Sequence, residues 1–314
     1  MTFRPRLAAA ALALAATALP AQAETQLTFK SAKTGTSYYQ MGVELAEAVK
    51  AASDGELILT VEESQGSVQN VMEVRARGGD YIFTSPPSLV GSAQEGAGPF
   101  DGKGDPKFAE IRALFPIPSL TMHFVVAGTE GGREMSELEG KSVLLGKGTF
   151  SATEGEKYLD LFGLMDKVTI ADAELSNAGD ALKNGQIDAF VSASSWPAPN
   201  IIEAAAGTGV RILSLSDEQV EQTGQARVEI PAETYPGQTE DIVTTGLPVV
   251  AFTTTAMDEE TAYQLTQDFW ETREKLAETA AWWAGVSPDQ VAEIGALHPG
   301  ARRYYDEAGI ATGG

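Results

Sequence analysis

QLTFKSAKTGTSYYQMGVELAEAVKAASDGELILTV, residues Gln26 to Val61, changes its hydrophobic period twice. Gln26 to Ala32 reads as a strand. From Tyr38 to Ala52, Met41, Leu45 and Val49 recur every four residues and mark one face of an amphipathic helix. Leu57 to Val61 returns to strand. A strand, a helix and a second strand in so short a span form the unit from which parallel sheets are built. Outward from it, Ser67 to Arg77 reads as a helix and Asp80 to Thr84 as a third strand, stopped by Pro86-Pro87.

The alternation then restarts. Strands are expected at Ser142 to Leu145, Val168 to Ile170, Ile187 to Ser192 and Val210 to Leu213, with helices near Thr153–Phe162, Asn177–Lys183 and Pro199–Ala206. The expected class is α/β, with mainly parallel sheets and flanking helices. Two further extended apolar runs, Met122 to Ala127 and Val249 to Thr254, are read as strands crossing between two domains. This assigns residues 24–120 plus 250–314 to domain I and 121–249 to domain II. After Asp258 the chain reads as mostly helical, and Trp270, Trp282 and Trp283 are expected to pack back on domain I.

Residues 1–23 read as a secretory signal peptide. Arg4 and Arg6 precede an apolar run from Leu7 to Leu19, and Pro20 leads to the small-residue site Ala21-Gln22-Ala23, so cleavage is expected after Ala23. That run is shorter than the roughly 20 residues of a permanent bilayer span. Cleavage would leave 291 of the 314 residues, a length suited to two domains. The chain has no cysteine, so thiolate chemistry and disulfides are excluded, and its two histidines make a multi-histidine metal centre improbable. Formal net charge is −22, and loss of the two leader arginines takes it to −24. Such a field repels phosphate backbones and anionic lipid headgroups, which argues against nucleic acid as a partner. No second apolar stretch approaches membrane-spanning length, so no insertion of the mature chain is expected.

Two loops carry the chemistry. In Thr34-Gly35-Thr36-Ser37 the chain turns from strand into helix, leaving the first amides of the Tyr38 helix free to hold an anion while Thr36 or Ser37 caps it. Gly146 to Thr153, GKGTFSAT, offers a second helix start of the same kind, with Thr149, Phe150 and Ser151 in its turn. Lys33 and Lys147 flank the two loops and could add charge-assisted bonds to a dianion. Tyr38, Tyr39, Phe150, Trp196 and Tyr235 fall in or beside loops and could pack on a ligand's carbon skeleton. Pro231 to Ile242, PAETYPGQTEDI, is a proline- and glycine-stiffened loop read as a site wall. His123 reads as a satisfied core or hinge residue, and His298 as part of a turn.

Five segments, in order, resemble the TAXI family of TRAP transporter solute-binding proteins. They are KTGTSYYQMG (Lys33 to Gly42), SQGSVQNV (Ser64 to Val71), LKNGQIDAF (Leu182 to Phe190), the PAETYPGQTEDI loop and HPGARRYYDEAG (His298 to Gly309). Departures fall at strand ends, where ligands bind in open α/β sheets: Ser85 replaces a common Gln, Ser194-Ser195 a frequent Gly-Gly, and GKGTFSAT is one residue short. The resemblance implies a type II-like periplasmic binding protein fold with two crossing hinge strands. It also implies a site drawing on Gln65, Ser67, Ser85 and Ser194 beside the loop residues, with no cofactor. The partners it implies are a small solute, glutamate-like or a dicarboxylate such as 2-oxoglutarate, and TRAP membrane subunits, separate or fused.

Other functions are weaker on the page. Gly146 to Ser151, with Asp172 beyond it, imitates a dinucleotide fingerprint, but once only and without a catalytic partner. No G-x-S-x-G elbow follows Gly35, and Ser-x-x-Lys is absent. The alternatives retained are a receptor for an ABC importer or sensor system, and a periplasmic enzyme.

Overall fold

In a computed structural model that describes residues 24–313, strand β1 (Thr25–Lys30) lies between β2 (Leu57–Glu62) and β3 (Tyr81–Ser85), parallel to both. The leader expected at residues 1–23 lies outside the described residues. Helix α1 (Ser37–Ala52) links β1 to β2, burying Met41, Leu45 and Val49 as their spacing predicts. Helices α2 (Ser67–Glu73) and α3 (Pro87–Glu95) flank β3, and Pro87 opens α3 where a proline needs no amide partner.

A long strand, β4 (Ile111–Ala127), then leaves this group for the other half of the sheet. There lie β5 (Ser142–Leu144), α4 (Phe150–Leu161), β6 (Thr169–Ala171), α5 (Ala178–Lys183), β7 (Ala189–Ser194), α6 (Pro199–Thr208) and β8 (Val210–Ile212). Helix α7 (Asp217–Thr223) and β9 (Ala226–Ile230) precede β10 (Ile242–Thr254), the second long strand, and α8 (Glu259–Thr279) and α9 (Pro299–Ala308) close the chain. The described strands form one curled sheet in the order β2-β1-β3-β10-β4-β7-β5-β6, with β8 on β4 and β9 on β10. The outer groups β2-β1-β3 and β7-β5-β6 are parallel, as the alternation predicts. β4 and β10 run antiparallel to each other and to their remaining neighbours.

Each long strand serves both halves. β4 pairs with β10 from Ile111 to Thr121 and with β7 from Thr121 to Val126, while β10 pairs with β9 from Ile242 to Gly246 and with β3 from Val250 to Phe252. At the crossover Leu120 faces Leu247 but Ile117 faces Val249, so β4 spends one extra residue on the step. Pro118 and Pro248 sit inside this bulge, where the absent amide of proline breaks no ladder. A side chain at Gly246 would meet Val228 Cγ2 at 2.7 Å, so the strands approach there more closely than any other residue allows. The first half of β4 escapes a sequence reading because Pro116 and Pro118 look like breakers.

The main core gathers Phe29, Leu45, Phe83, Phe115 and Phe269, the last two stacked with centroids 4.0 Å apart. A smaller cluster holds Leu144, Phe190, Ile201 and Tyr235. The tryptophans tie the helical tail to α1 and β4: Trp282 and Trp283 donate indole N–H bonds to Glu44 at 3.1 and 2.7 Å, and Trp270 donates to Tyr305, whose hydroxyl donates to the Leu114 carbonyl.

Candidate functional site

Two helices begin with the same device. Thr36 caps α1, its Oγ1 accepting the Tyr39 amide at 3.4 Å and donating to the Lys33 carbonyl at 2.7 Å. Thr149 caps α4 in the same way, accepting from the Ala152 amide at 3.2 Å and donating to the Gly146 carbonyl at 2.6 Å. Positive φ at Gly35 (86°) and Gly146 (78°) lets each loop turn sharply into its helix. The preceding amides of each helix, Ser37 and Tyr38 in α1 and Phe150 and Ser151 in α4, find no acceptor among the described residues, which leaves both starts attractive to an anion.

Both starts border one cleft of about 120 Å³ between the two halves of the sheet. Of the residues expected from sequence, Lys33, Thr34, Gly35, Thr36, Tyr38, Gln65 and Ser67 line it from the β1–β3 side. Thr149, Phe150, Ser151 and Ser194 line it from the other. Tyr38 contributes its ring, because its hydroxyl is spent on the Pro118 carbonyl at 2.8 Å, and burial pushes its phenol well above the ordinary range. Ser151 takes the Ala193 amide at 3.0 Å and so fixes α4 to β7.

Five expected residues lie elsewhere. Ser37 is wholly buried, its Oγ 2.7 Å from that of Ser194 and accepting the Ser195 amide at 3.2 Å, so it clasps α1 to the end of β7 and does not line the cleft. Ser85 is buried and donates to the Pro86 carbonyl at 3.1 Å. Lys147 is 80% exposed, paired with Asp172 at 3.5 Å. Trp196 packs, half-buried, on the smaller core cluster. Tyr235 is 3% exposed. Its hydroxyl accepts the Ala198 amide at 3.0 Å and lies 2.9 Å from His123 Nε2.

The Pro231 to Ile242 loop is thus an internally fastened structural loop and does not reach the cleft. Gln238 holds it, donating to the Ile230, Pro231 and Glu240 carbonyls and accepting the Tyr235 amide. His123 is fully buried, and that burial draws its pKa down to about 4, so the ring is neutral. With Nδ1 facing the Thr121 carbonyl at 3.1 Å, the proton sits on Nδ1 and Nε2 accepts from Tyr235. His298 caps α9, its Nδ1 accepting the Gly300 amide.

The cleft also has walls that sequence reasoning missed. Asn200 and Glu203, one turn apart at the start of α6, line it together with Glu174 and Ser192. The signal was present in Pro199, which marks a helix start, but the β7–α6 connection offers no glycine-rich loop to draw attention. Asn200 Nδ2 donates to Ser192 Oγ at 3.2 Å, while its Oδ1 and the Oε1 of Gln65 are withdrawn from solvent without a hydrogen bond. Lys33 is the cation among the lining residues, set against Glu174 and Glu203. Glu63 stands behind the α1 loop, accepting the Thr34 amide at 2.9 Å, and that bonding holds its carboxyl below the usual range. Among the described residues no cluster of His, Asp and Glu is arranged to hold a metal ion, and no helix is long and apolar enough to cross a membrane.

The fold matches that of solved periplasmic binding proteins. The periplasmic binding protein BugD superposes with a TM-score of 0.59 at 12% identity, over 91% of this chain and 98% of that one. A protein from Bordetella bronchiseptica RB50 superposes at 0.54 and 14% identity, with the same coverages. At these identities the likeness establishes the fold. The NMT1-like family model matches residues 29–309, nearly the whole chain, and the protein belongs to the NMT1-like family.

Proposed function

We propose that the protein is an exported solute receptor that captures a small organic acid between two lobes and hands it to membrane subunits of a TRAP-type transporter, as the TAXI resemblance implies. The observation that carries this reading is the pair of identically capped helix starts, α1 and α4, bordering one cleft from opposite halves of the sheet. The free amides of Tyr38, Phe150 and Ser151, with Lys33, give a carboxylate its partners without an arginine, acting locally against a net charge of −22. The lobes are residues 24–120 with 250–314 and residues 121–249, joined through β4 and β10. Solute favours the closed arrangement by touching both walls at once. The site residues in this reading are those expected residues that line the cleft, and no cofactor takes part.

A thermal-shift screen against amino acids, hydroxy acids, keto acids, dicarboxylates, sulfonates and quaternary amines tests it. A raised melting temperature with one acid class, and recovery of that acid unchanged, is the expected result. Shifts confined to amines, or chemical turnover of the acid, would overturn it.

A further inference from the structure

We infer that the solute carries a hydrogen-bond donor, a hydroxyl or an ammonium group, received by the side-chain oxygens of Gln65 and Asn200, so that amino and hydroxy acids are preferred over keto acids and plain dicarboxylates of the same length. This rests on the receptor reading above and specifies what that receptor selects.

The two residues come from opposite walls. Gln65 lies on the loop from β2 into α2, and Asn200 in the first turn of α6. Asn200 Nδ2 is spent on Ser192 Oγ, which leaves Oδ1 as the unspent end of that side chain, and Gln65 Oε1 is likewise buried without a partner, while the Gln65 backbone amide is taken by Gln69 Oε1 at 2.8 Å. An acceptor withdrawn from water with no partner is a standing penalty that a ligand donor would remove. The charges around them agree: Glu174 and Glu203 line the same cleft and are acceptors when ionised. A keto acid or a simple dicarboxylate is fully ionised at neutral pH and brings acceptors only. It can satisfy the helix starts and Lys33, but not Gln65, Asn200 or the two glutamates. A molecule with carboxylate at one end and O–H or N–H groups at the other meets both sets.

The test is calorimetric titration of the purified protein with L-glutamate, L-2-hydroxyglutarate, 2-oxoglutarate and glutarate, which share a carbon chain and differ in the donor. The amino or the hydroxy acid is expected to bind roughly 10- to 100-fold more tightly than the keto acid and glutarate. The comparison between the first two tells whether the glutamates favour ammonium over hydroxyl. In Asn200→Leu, checked for folding by circular dichroism, that preference should fall to within about threefold while affinity for the keto acid stays near the wild-type value. Gln65→Leu is the independent second variant, on the other wall. Equal affinity across the four acids in the wild-type protein would overturn the inference and leave the receptor reading standing, and so would a preference untouched by both variants. Binding of none of the four would overturn the inference, and the wider thermal-shift screen would then decide the receptor reading by itself.

Discussion

Two buried titratable side chains pull the stability of this protein in opposite directions with pH. Asp268 on α8 is 1% exposed, its Oδ2 unpaired and its Oδ1 accepting only the Gln264 amide at 2.8 Å. Burial raises its pKa from 3.8 to about 6. A group raised in the folded state gives its full stability below the unfolded value and loses it as pH climbs through the folded one. Asp268 therefore costs the fold about 1–3 kcal/mol at neutral pH, a penalty that develops between about pH 4 and 6. His123 acts with the contrary sign, because burial lowers its pKa from 6.5 to about 4, so its contribution is present above pH 6.5 and is lost on acidification. The two windows overlap and partly cancel. Asp268→Asn should uncover the histidine: its melting temperature, relative to wild type, should be a few degrees more favourable at pH 7.5 than at pH 4.5. A difference that stays constant across that range in thermal melts would show that Asp268 is ionised without cost.

At the scale of the element, the paired helix starts make the strongest local prediction. Thr36→Val and Thr149→Val each remove a cap of the same geometry, and each should lower stability by about 0.5–2 kcal/mol in denaturant melts. Because the caps sit on opposite halves of the sheet, the two losses should add. Each should also weaken acid binding several-fold, and full affinity in both variants would separate the helix starts from the ligand. These caps were legible in the sequence, since at Gly35-Thr36 and in GKGTFSAT a glycine turn and a threonine stand between a strand pattern and a helix pattern. So was the parallel half of the topology, from the change of period between Gln26 and Val61. What stayed hidden follows from distance along the chain. Nothing local shows that Ser37 will meet Ser194 across 157 residues, or that the Tyr235 hydroxyl will be consumed by His123 and Ala198. Asn200 and Glu203 were overlooked because a first helical turn opened by proline resembles any other until the sheet curls and brings it opposite Gln65. The YPGQ loop misled for a related reason: stiffness from proline and glycine serves a fastened turn as well as a binding wall, and the Gln238 bonds decide for the former.

Over the whole molecule, the excess of acidic side chains and the local chemistry of the cleft oppose each other. The chain carries 44 Asp and Glu against 22 Lys and Arg. An approaching dianion therefore meets a repulsive field until it is within a few ångströms of the α1 and α4 starts, where unpaired amides and Lys33 take over. Far-field repulsion is screened by salt with a Debye length of about 30 Å at 0.01 M and about 8 Å at 0.15 M, whereas contacts inside a partly buried cleft are screened much less. The association rate of a dicarboxylate should consequently rise severalfold between those ionic strengths, with the dissociation rate nearly unchanged, so that affinity improves with salt. A net-neutral zwitterion should associate at a rate that salt hardly alters. Stopped-flow recording of tryptophan fluorescence on binding distinguishes the cases. An association rate for the dianion that falls with salt would mean that Lys33 and the helix starts, and not the acidic surface, govern the encounter, and the acidity of the chain would then have no part in selecting its solute.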